Sequence, residues 1–325
     1  MKNWKRWVLT CAAAAAVVSL TACGKIRQDK QEIQQEKQDG SASITEIEKI
    51  KRSPEEAIAA AAMHLASVES LDASITVDLG IKVLGQKFDA KALMDMTTFQ
   101  SPMKMKADLS LDLGILGTNK MQIYAREQDE KYGLYLYSGG KWTKQEVQSM
   151  DLKKYNGQKI MNIYLDKIGD LKEDGTEELD SGSADKYSGV IHGDTLTEVF
   201  QNSGISDSMN ALMANDVLKP LGALMQNHEE MIREIFENAE DIPVSIWIDS
   251  ETDYPVQCSM DITDIVSRIF DEINKNTTDK VSTANILSEI DISGTNITVE
   301  CSNFNSSEDF TIPAEALKGN GGRIF

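Results

Sequence analysis

The run Met103-Lys104-Met105-Lys106-Ala107-Asp108-Leu109-Ser110-Leu111-Asp112 alternates apolar and polar side chains without a break. A period of two puts Met103, Met105, Ala107, Leu109 and Leu111 on one side of the backbone and the charges on the other, which is the pattern of an antiparallel strand with one wet face. The alternation spreads in both directions. Upstream, Ala73, Ile75, Val77, Leu79, Ile81 and Val83 alternate with mostly polar neighbours, as do Phe88, Ala90, Ala92, Met94 and Met96. Downstream, residues 121–125, 131–137 and 141–146 continue with shorter strands, and Gly85 and the 114–117 segment supply turns. Six consecutive strands sharing one apolar face predict a large curved antiparallel sheet that needs a cover.

The cover is read from the change of period. Ser53-Pro54-Glu55-Glu56 is a helix start, with Ser53 as cap, Pro54 at the first helical position and Glu56 able to close a capping box. Ala57, Ile58, Ala61, Ala62, Leu65 and Val68 then recur at helical spacing, and the alanines make that face smooth enough to lie close to a sheet. After the meander, Ile160, Ile163, Tyr164, Ile168 and Leu171 predict a helix, and residues 184–192 predict one more strand. From 194 to 239 the apolar positions, Met209, Leu212, Met213, Leu221, Leu224 and Met225 among them, return to helical spacing. Val244, Ile246 and Ile248 lead through a turn at 249–254 into Val256, Cys258, Met260 and Ile262. A helix carrying Ile265, Val266, Ile269, Phe270 and Ile273 follows. A last hairpin is expected to pair 286–292 with 297–304 across Ser293-Gly294-Thr295. The predicted class is α+β, a broad antiparallel sheet with helices on its concave face.

The amino terminus has another character. Lys2, Lys5 and Arg6 precede an apolar run of about a dozen residues, within the length of a secretory signal and short of the ~20 that span a bilayer. The run ends in Leu20-Thr21-Ala22-Cys23, which has the form of a bacterial lipobox. A peptidase that cuts before a cysteine already carrying diacylglycerol needs small residues at Thr21 and Ala22 and a thiol at Cys23. The expected organisation is a lipoprotein signal peptide at 1–22, a polar tether at 23–52, one domain at 53–317 and a tail at 318–325. The expected location is the extracytoplasmic side of a cell membrane, anchored through lipidated Cys23.

Composition excludes several functions. The formal charge of −19 becomes about −22 once the three basic residues of the signal leave, which argues against nucleic acid as a partner and against a surface lying flat on anionic lipid. Cys11 leaves with the signal and Cys23 is lipidated, so Cys258 and Cys301 are the thiols of the domain, too few for a disulfide scaffold. They are expected to stay unbridged, because in a sheet ordered as the chain is ordered the 286–292 strand separates them by roughly 9–10 Å, beyond the ~7 Å a disulfide tolerates; were the last strand to insert beside the Cys258 strand instead, the two thiols could meet and a bridge would be expected. His64, His192 and His228 lie in different segments and none sits in a triad pattern. The acidic run Asp166, Asp170, Asp174, Glu177 and Glu178 lacks the alternating ligands of a calcium loop and reads as a solvated turn. No enzyme activity, metal or cofactor is expected. Two readings remain: a protein that binds a hydrophobic or lipid ligand between sheet and helices, and a surface interaction or sensory module whose core is simply filled. For the first, a cavity bounded by Met94, Met96, Met103 and Met105 on strands and Met209, Met213 and Met225 on helices is expected, since methionine packs adaptably.

The hairpin Ile242-Pro243-Val244-Ser245-Ile246-Trp247-Ile248-Asp249, continued by Ser250-Glu251-Thr252-Asp253-Tyr254-Pro255-Val256, resembles the LolA-like superfamily. So do Phe304-Asn305 and the closing Ile312-Pro313-Ala314-Glu315-Ala316. This superfamily comprises the outer-membrane lipoprotein carriers and related Gram-positive surface lipoproteins. The order of elements matches as well, over most of residues 53–317. The resemblance implies an unclosed β-barrel whose concave face is plugged by helices and, in the carriers, takes up acyl chains. The lipobox sets this chain apart from the soluble carriers and closer to the tethered relatives. Replacement of the anchoring thiol, Cys23→Ser, is expected to leave an unprocessed and unacylated precursor, read by mass shift and by loss of metabolic labelling with a fatty acid; a mature, membrane-held variant would refute the assignment.

Overall fold

Ser53 starts the first helix. Its hydroxyl accepts the Glu56 N–H at 3.2 Å while the Glu56 carboxylate accepts the Ser53 N–H at 2.9 Å, the reciprocal capping box. Helix α1 runs Pro54–Ala66 and buries Ala57, Ile58, Ala61 and Leu65. The structure, a computed structural model, describes residues 52–148 without 84–85, 113, 115–116 and 129–130, residues 165–196 without 166 and 194, and residues 234–276 and 290–321.

Six strands follow α1: β1 (Ser70–Val83), β2 (Gln86–Gln100), β3 (Met103–Asp112), β4 (Thr118–Gln128), β5 (Lys131–Ser138) and β6 (Lys141–Gln148). Then come β7 (Ile168–Leu179), β8 (Gly182–Ile191), β9 (Ile242–Asp249), β10 (Pro255–Asp261), helix α2 (Thr263–Asn276), β11 (Ile290–Ser302), helix α3 (Ala314–Leu317) and the two-residue β12 (Asn320–Gly321). Among the described residues these strands form one sheet in the order β12-β6-β5-β4-β3-β2-β1-β11-β10-β9-β8-β7. Every neighbouring pair is antiparallel except β12 with β6. The ends, β7 and β12, do not meet, so the sheet is curved but unclosed.

Alternation works as the sequence predicts, with β3 burying every second residue from Met103 to Leu111. The inner face carries two apolar clusters. One centres on β1–β3, with Phe270 and Val266 of α2 against it; the other joins β7–β10 to Ala57, Ile58 and Ala61 of α1 and Ile265 of α2. The outer face is not uniformly wet. Tyr124 and Tyr135 are buried there beneath Phe310, Ile312 and Ala316 of the carboxyl-terminal segment, and Lys104 stands over the rings of Phe99 and Phe310 while pairing with Asp309.

Three expectations are corrected. Ile168 and Leu171 are not helical: they lie in β7, where the β7–β8 register slips between Gly169 and Lys172. That irregularity puts both side chains against the same cluster, reproducing a three-residue spacing inside a strand. The acidic residues Asp170, Asp174, Glu177 and Glu178 belong to this edge strand, not to a solvated turn. Ile160, Ile163 and Tyr164, like most of 194–239, lie outside the described residues.

Ser293-Gly294-Thr295 is no hairpin turn. It runs through the interior of β11, which pairs with β1 on one side and β10 on the other. Gly80 faces Gly294 and Ile81 faces Ile292, so Ser293 is the extra residue of a bulge. A Cβ on Gly80 would come within 2.7 Å of Ser293 Oγ, so the two chains approach closely at the bulge. A Ser-Gly pair in an alternating run marks a bulge as readily as a turn, and here the long pairing with β1 decides for the bulge.

Thr295 sits just past that bulge with no exposed surface, and among the described residues its hydroxyl has no hydrogen-bond partner. An unsatisfied buried hydroxyl costs about 1–3 kcal/mol. Thr295→Val keeps the shape and the β-branch, so it is expected to raise unfolding stability by about 1 kcal/mol, seen as a higher denaturant midpoint at unchanged slope.

Candidate ligand-binding face

The inner face is built from cross-strand rows. One row runs Cys301, Ala73, Met96, Ala107, Ile123, Leu136 across β11, β1, β2, β3, β4 and β5. The next runs Val299, Ile75, Met94, Leu109, Met121, and a third Ile297, Val77, Ala92, Leu111. Six strands at the usual spacing span roughly 24 Å, enough for a long alkyl chain laid across them. These rows contain no charged side chain. Their small members, Ala73, Ala92 and Ala107 beside Ala90 and Ala125, alternate with flexible Met94, Met96 and Met105.

Met94, Met96 and Met105 thus meet in one cluster. Met103 is also buried, but at the start of β3 opposite Gln100 and outside that cluster. Met209, Met213 and Met225 lie outside the described residues. The alternation places these alanines on the apolar face, but alanine in a strand carries no chemical signal of its own; only the cross-strand register shows them side by side.

The two thiols are free. Strand order, however, differs from chain order in the way that matters for them: β11 is the direct neighbour of β10, Cys258 faces Val299, and Cys301 lies two residues further along β11. No strand separates them, so the reason anticipated for their staying apart is wrong. They are diagonal, not opposite, and burial pushes both up to about 12, that of Cys301 further assisted by Cys258 and Glu300. Neutral thiols of this kind are poor nucleophiles.

The superfamily-like hairpin is a hydrogen-bonded structural unit. Asp249 Oδ1 accepts the Thr252 N–H at 2.7 Å, the Thr252 hydroxyl at 2.6 Å and the Glu251 N–H at 3.1 Å, while Asp253 takes φ +61. Tyr254 then stacks on Phe304 at 4.2 Å, and Asn305 accepts the Glu69 N–H at 2.7 Å. His64 meets Tyr254 edge-on at 5.8 Å, and Arg52 pairs with Asp253. These contacts fasten Arg52, α1 and the segment after β11 to the β9–β10 turn.

The outer face carries a groove of about 750 Å³ lined by Asp72, Ser74, Asp95, Thr97, Lys106, Asp108, Gln257 and Glu300 and by residues 178–181, at the end of β7 and the turn into β8. Lys106 pairs with Asp108 at 2.9 Å, and this bond holds its ammonium above the ordinary lysine range. Ser74 donates to Asp95, Asn303 to Asp72 and Gln122 to Asp108.

No protein-family model matches this chain, and no curated protein matches it. Solved structures do. The lipoprotein LppX of Mycobacterium tuberculosis aligns with a TM-score of 0.40 at 13% identity, covering 79% of this chain and 97% of that one. LprF of Mycobacterium bovis aligns at 0.42 and 11% identity, covering 81% and 97%. A LolA superfamily protein from Nitrosomonas europaea aligns at 0.16 and 7% identity, covering 79% and 95%.

Met94 is 2% exposed at the centre of the middle row. Met94→Ala is expected to cost about 2–5 kcal/mol, the range for emptying a packed site, measured by chemical denaturation; a loss under 1 kcal/mol would mean that the side chain borders open space.

Proposed function

We propose that this chain is an extracytoplasmic lipoprotein, anchored to the cell membrane through Cys23, that holds a hydrophobic or lipid ligand between the inner face of its sheet and helices. The observation that carries the reading is the row structure of that face: charge-free, six strands wide, and built from alanines next to methionines. Alanine leaves depth over the sheet, and methionine adapts to an irregular apolar surface. An unclosed sheet keeps an opening that a closed barrel of packed side chains lacks. The helical side of the site would come from the stretch holding Met209, Met213 and Met225. The domain 53–317 would stand off the membrane on the polar tether.

The second reading, an interaction or sensory module without a small ligand, is supported by the completeness of burial of Met94, Met96 and Met105. One measurement separates the two. Native mass spectrometry of the protein purified from cells in mild detergent, with organic extraction in parallel, is expected to show a stoichiometric lipid in addition to the acyl groups on Cys23. Only the covalent acyl groups, over several preparations, would leave the second reading.

A further inference from the structure

Three chain segments meet at one imidazole. His192 follows β8, Asp241 precedes β9, and Gly169 and Asp170 stand near the start of β7. His192 Nδ1 lies 3.1 Å from Asp241 Oδ2, and its Nε2 lies 3.9 Å from Asp170 Oδ2. Asp241 is held independently of the ring, because its Oδ1 accepts the Gly193 N–H at 3.0 Å. That bond, and after it the bond with His192, keeps the Asp241 carboxyl below the usual range.

The surroundings are shaped to admit the ring. A Cβ at residue 169 would come within 2.9 Å of Nε2, so glycine there makes the space. A Cβ at Gly193 would lie 2.1 Å from the Ala239 carbonyl oxygen, so the chain leaving β8 and the chain approaching β9 pass in direct contact. Asp170 holds φ +52, a left-handed conformation that aspartate tolerates better than most residues, at the point where the β7–β8 register slips. Among the described residues, further charges lie on α2, on the residue before Asp241 and on Lys167 just before β7. Asp264 accepts the Glu240 N–H at 3.1 Å and Arg268 Nε at 2.7 Å, so that carboxylate is already matched; the Glu240 side chain adds one more negative charge.

Counting donors gives the consequence. A neutral imidazole has one N–H and an imidazolium has two. With Asp241 fixed against Nδ1, the neutral ring keeps its proton there and presents the Nε2 lone pair to the Asp170 carboxylate. Protonated, the ring keeps its hydrogen bond to Asp241 and turns a charged N–H towards Asp170, with which it forms an ion pair at 3.9 Å. We propose that His192 is a pH-sensitive latch on the open edge of the sheet: charged, it bridges Asp170 and Asp241 and ties the start of β7 to the β8–β9 root; neutral, it releases Asp170. Among the described residues β7 is a terminal strand with β8 as its ladder partner, so such a tie adds to what holds its start. The pairs nearest the latch are Ile168 with Ile191 and Gly169 with Val190, and opening them uncovers Ile168.

Hydrogen exchange of the full chain in detergent at pH 5 and pH 8, an interval in which imidazoles change charge, tests this after correction for intrinsic exchange. Opening of residues 168–172 is expected to be about two- to five-fold more frequent at pH 8, the scale of an exposed ion pair, with β2 unchanged as an internal reference. His192→Gln should abolish the difference. Asp170→Asn should abolish it as well, and it keeps a residue tolerant of the same backbone conformation at a site 73% exposed, so it decides the matter if the histidine variant does not fold. A wild-type chain with no pH difference at 168–172, or an Asp170→Asn chain that retains it, overturns the latch.

Discussion

The pairing of β1 with β11 is the constraint on which the rest of the architecture depends. It runs from Asp72 with Ser302 to Val83 with Ile290, across more than two hundred residues of chain. Without it there would be two meanders, β1–β6 and β7–β11, each with an apolar face and an exposed edge. With it they become one continuous sheet, and the inner faces of the two halves merge into a surface long enough to need both α1 and α2. The long closure is entropically slow to form, yet each added ladder pair lengthens a surface that later burial stabilises.

That join explains details that local reading misassigns. The bulge at Ser293 shifts the register of β11 against β1, and past it Thr295, Ile297, Val299 and Cys301 stand opposite Leu79, Val77, Ile75 and Ala73. On its other side β11 pairs with β10, so that Cys258 and Cys301 become diagonal neighbours. Their state follows from burial in an apolar row and not from distance across an intervening strand.

The two faces are finished by different means. Helices with apolar stripes cover the inner face, where the side chains are small or flexible. On the outer face the carboxyl-terminal segment lays Phe310, Ile312 and Ala316 over Tyr124 and Tyr135, and β12 extends the pairing at the β6 edge. The opposite edge, β7, is protected differently: two register slips and a row of carboxylates make it a poor template for another strand. The same slip that protects the edge positions Asp170 by His192.

Local chemistry decided much of this protein in advance. The capping box at Ser53, the period-two alternation from Ala73 through Leu111 and the Asp249–Thr252 turn all depend on neighbours in sequence, and each is realised where the residues indicate it. The apolar composition of the candidate face was equally legible, because strand alternation assigns a face to every residue. Three things were decided only in three dimensions. Ile168 and Leu171 carry a helical spacing that a bulge also satisfies, and Ser293-Gly294 carries a turn signal that a bulge also satisfies; strand pairing broke both ties, with the adjacent β8 in the first case and the distant β1 in the second. Which alanines and methionines stand side by side depends on strand order and register, and these are set by burial and ladder hydrogen bonds between segments whose sequences hold no record of one another.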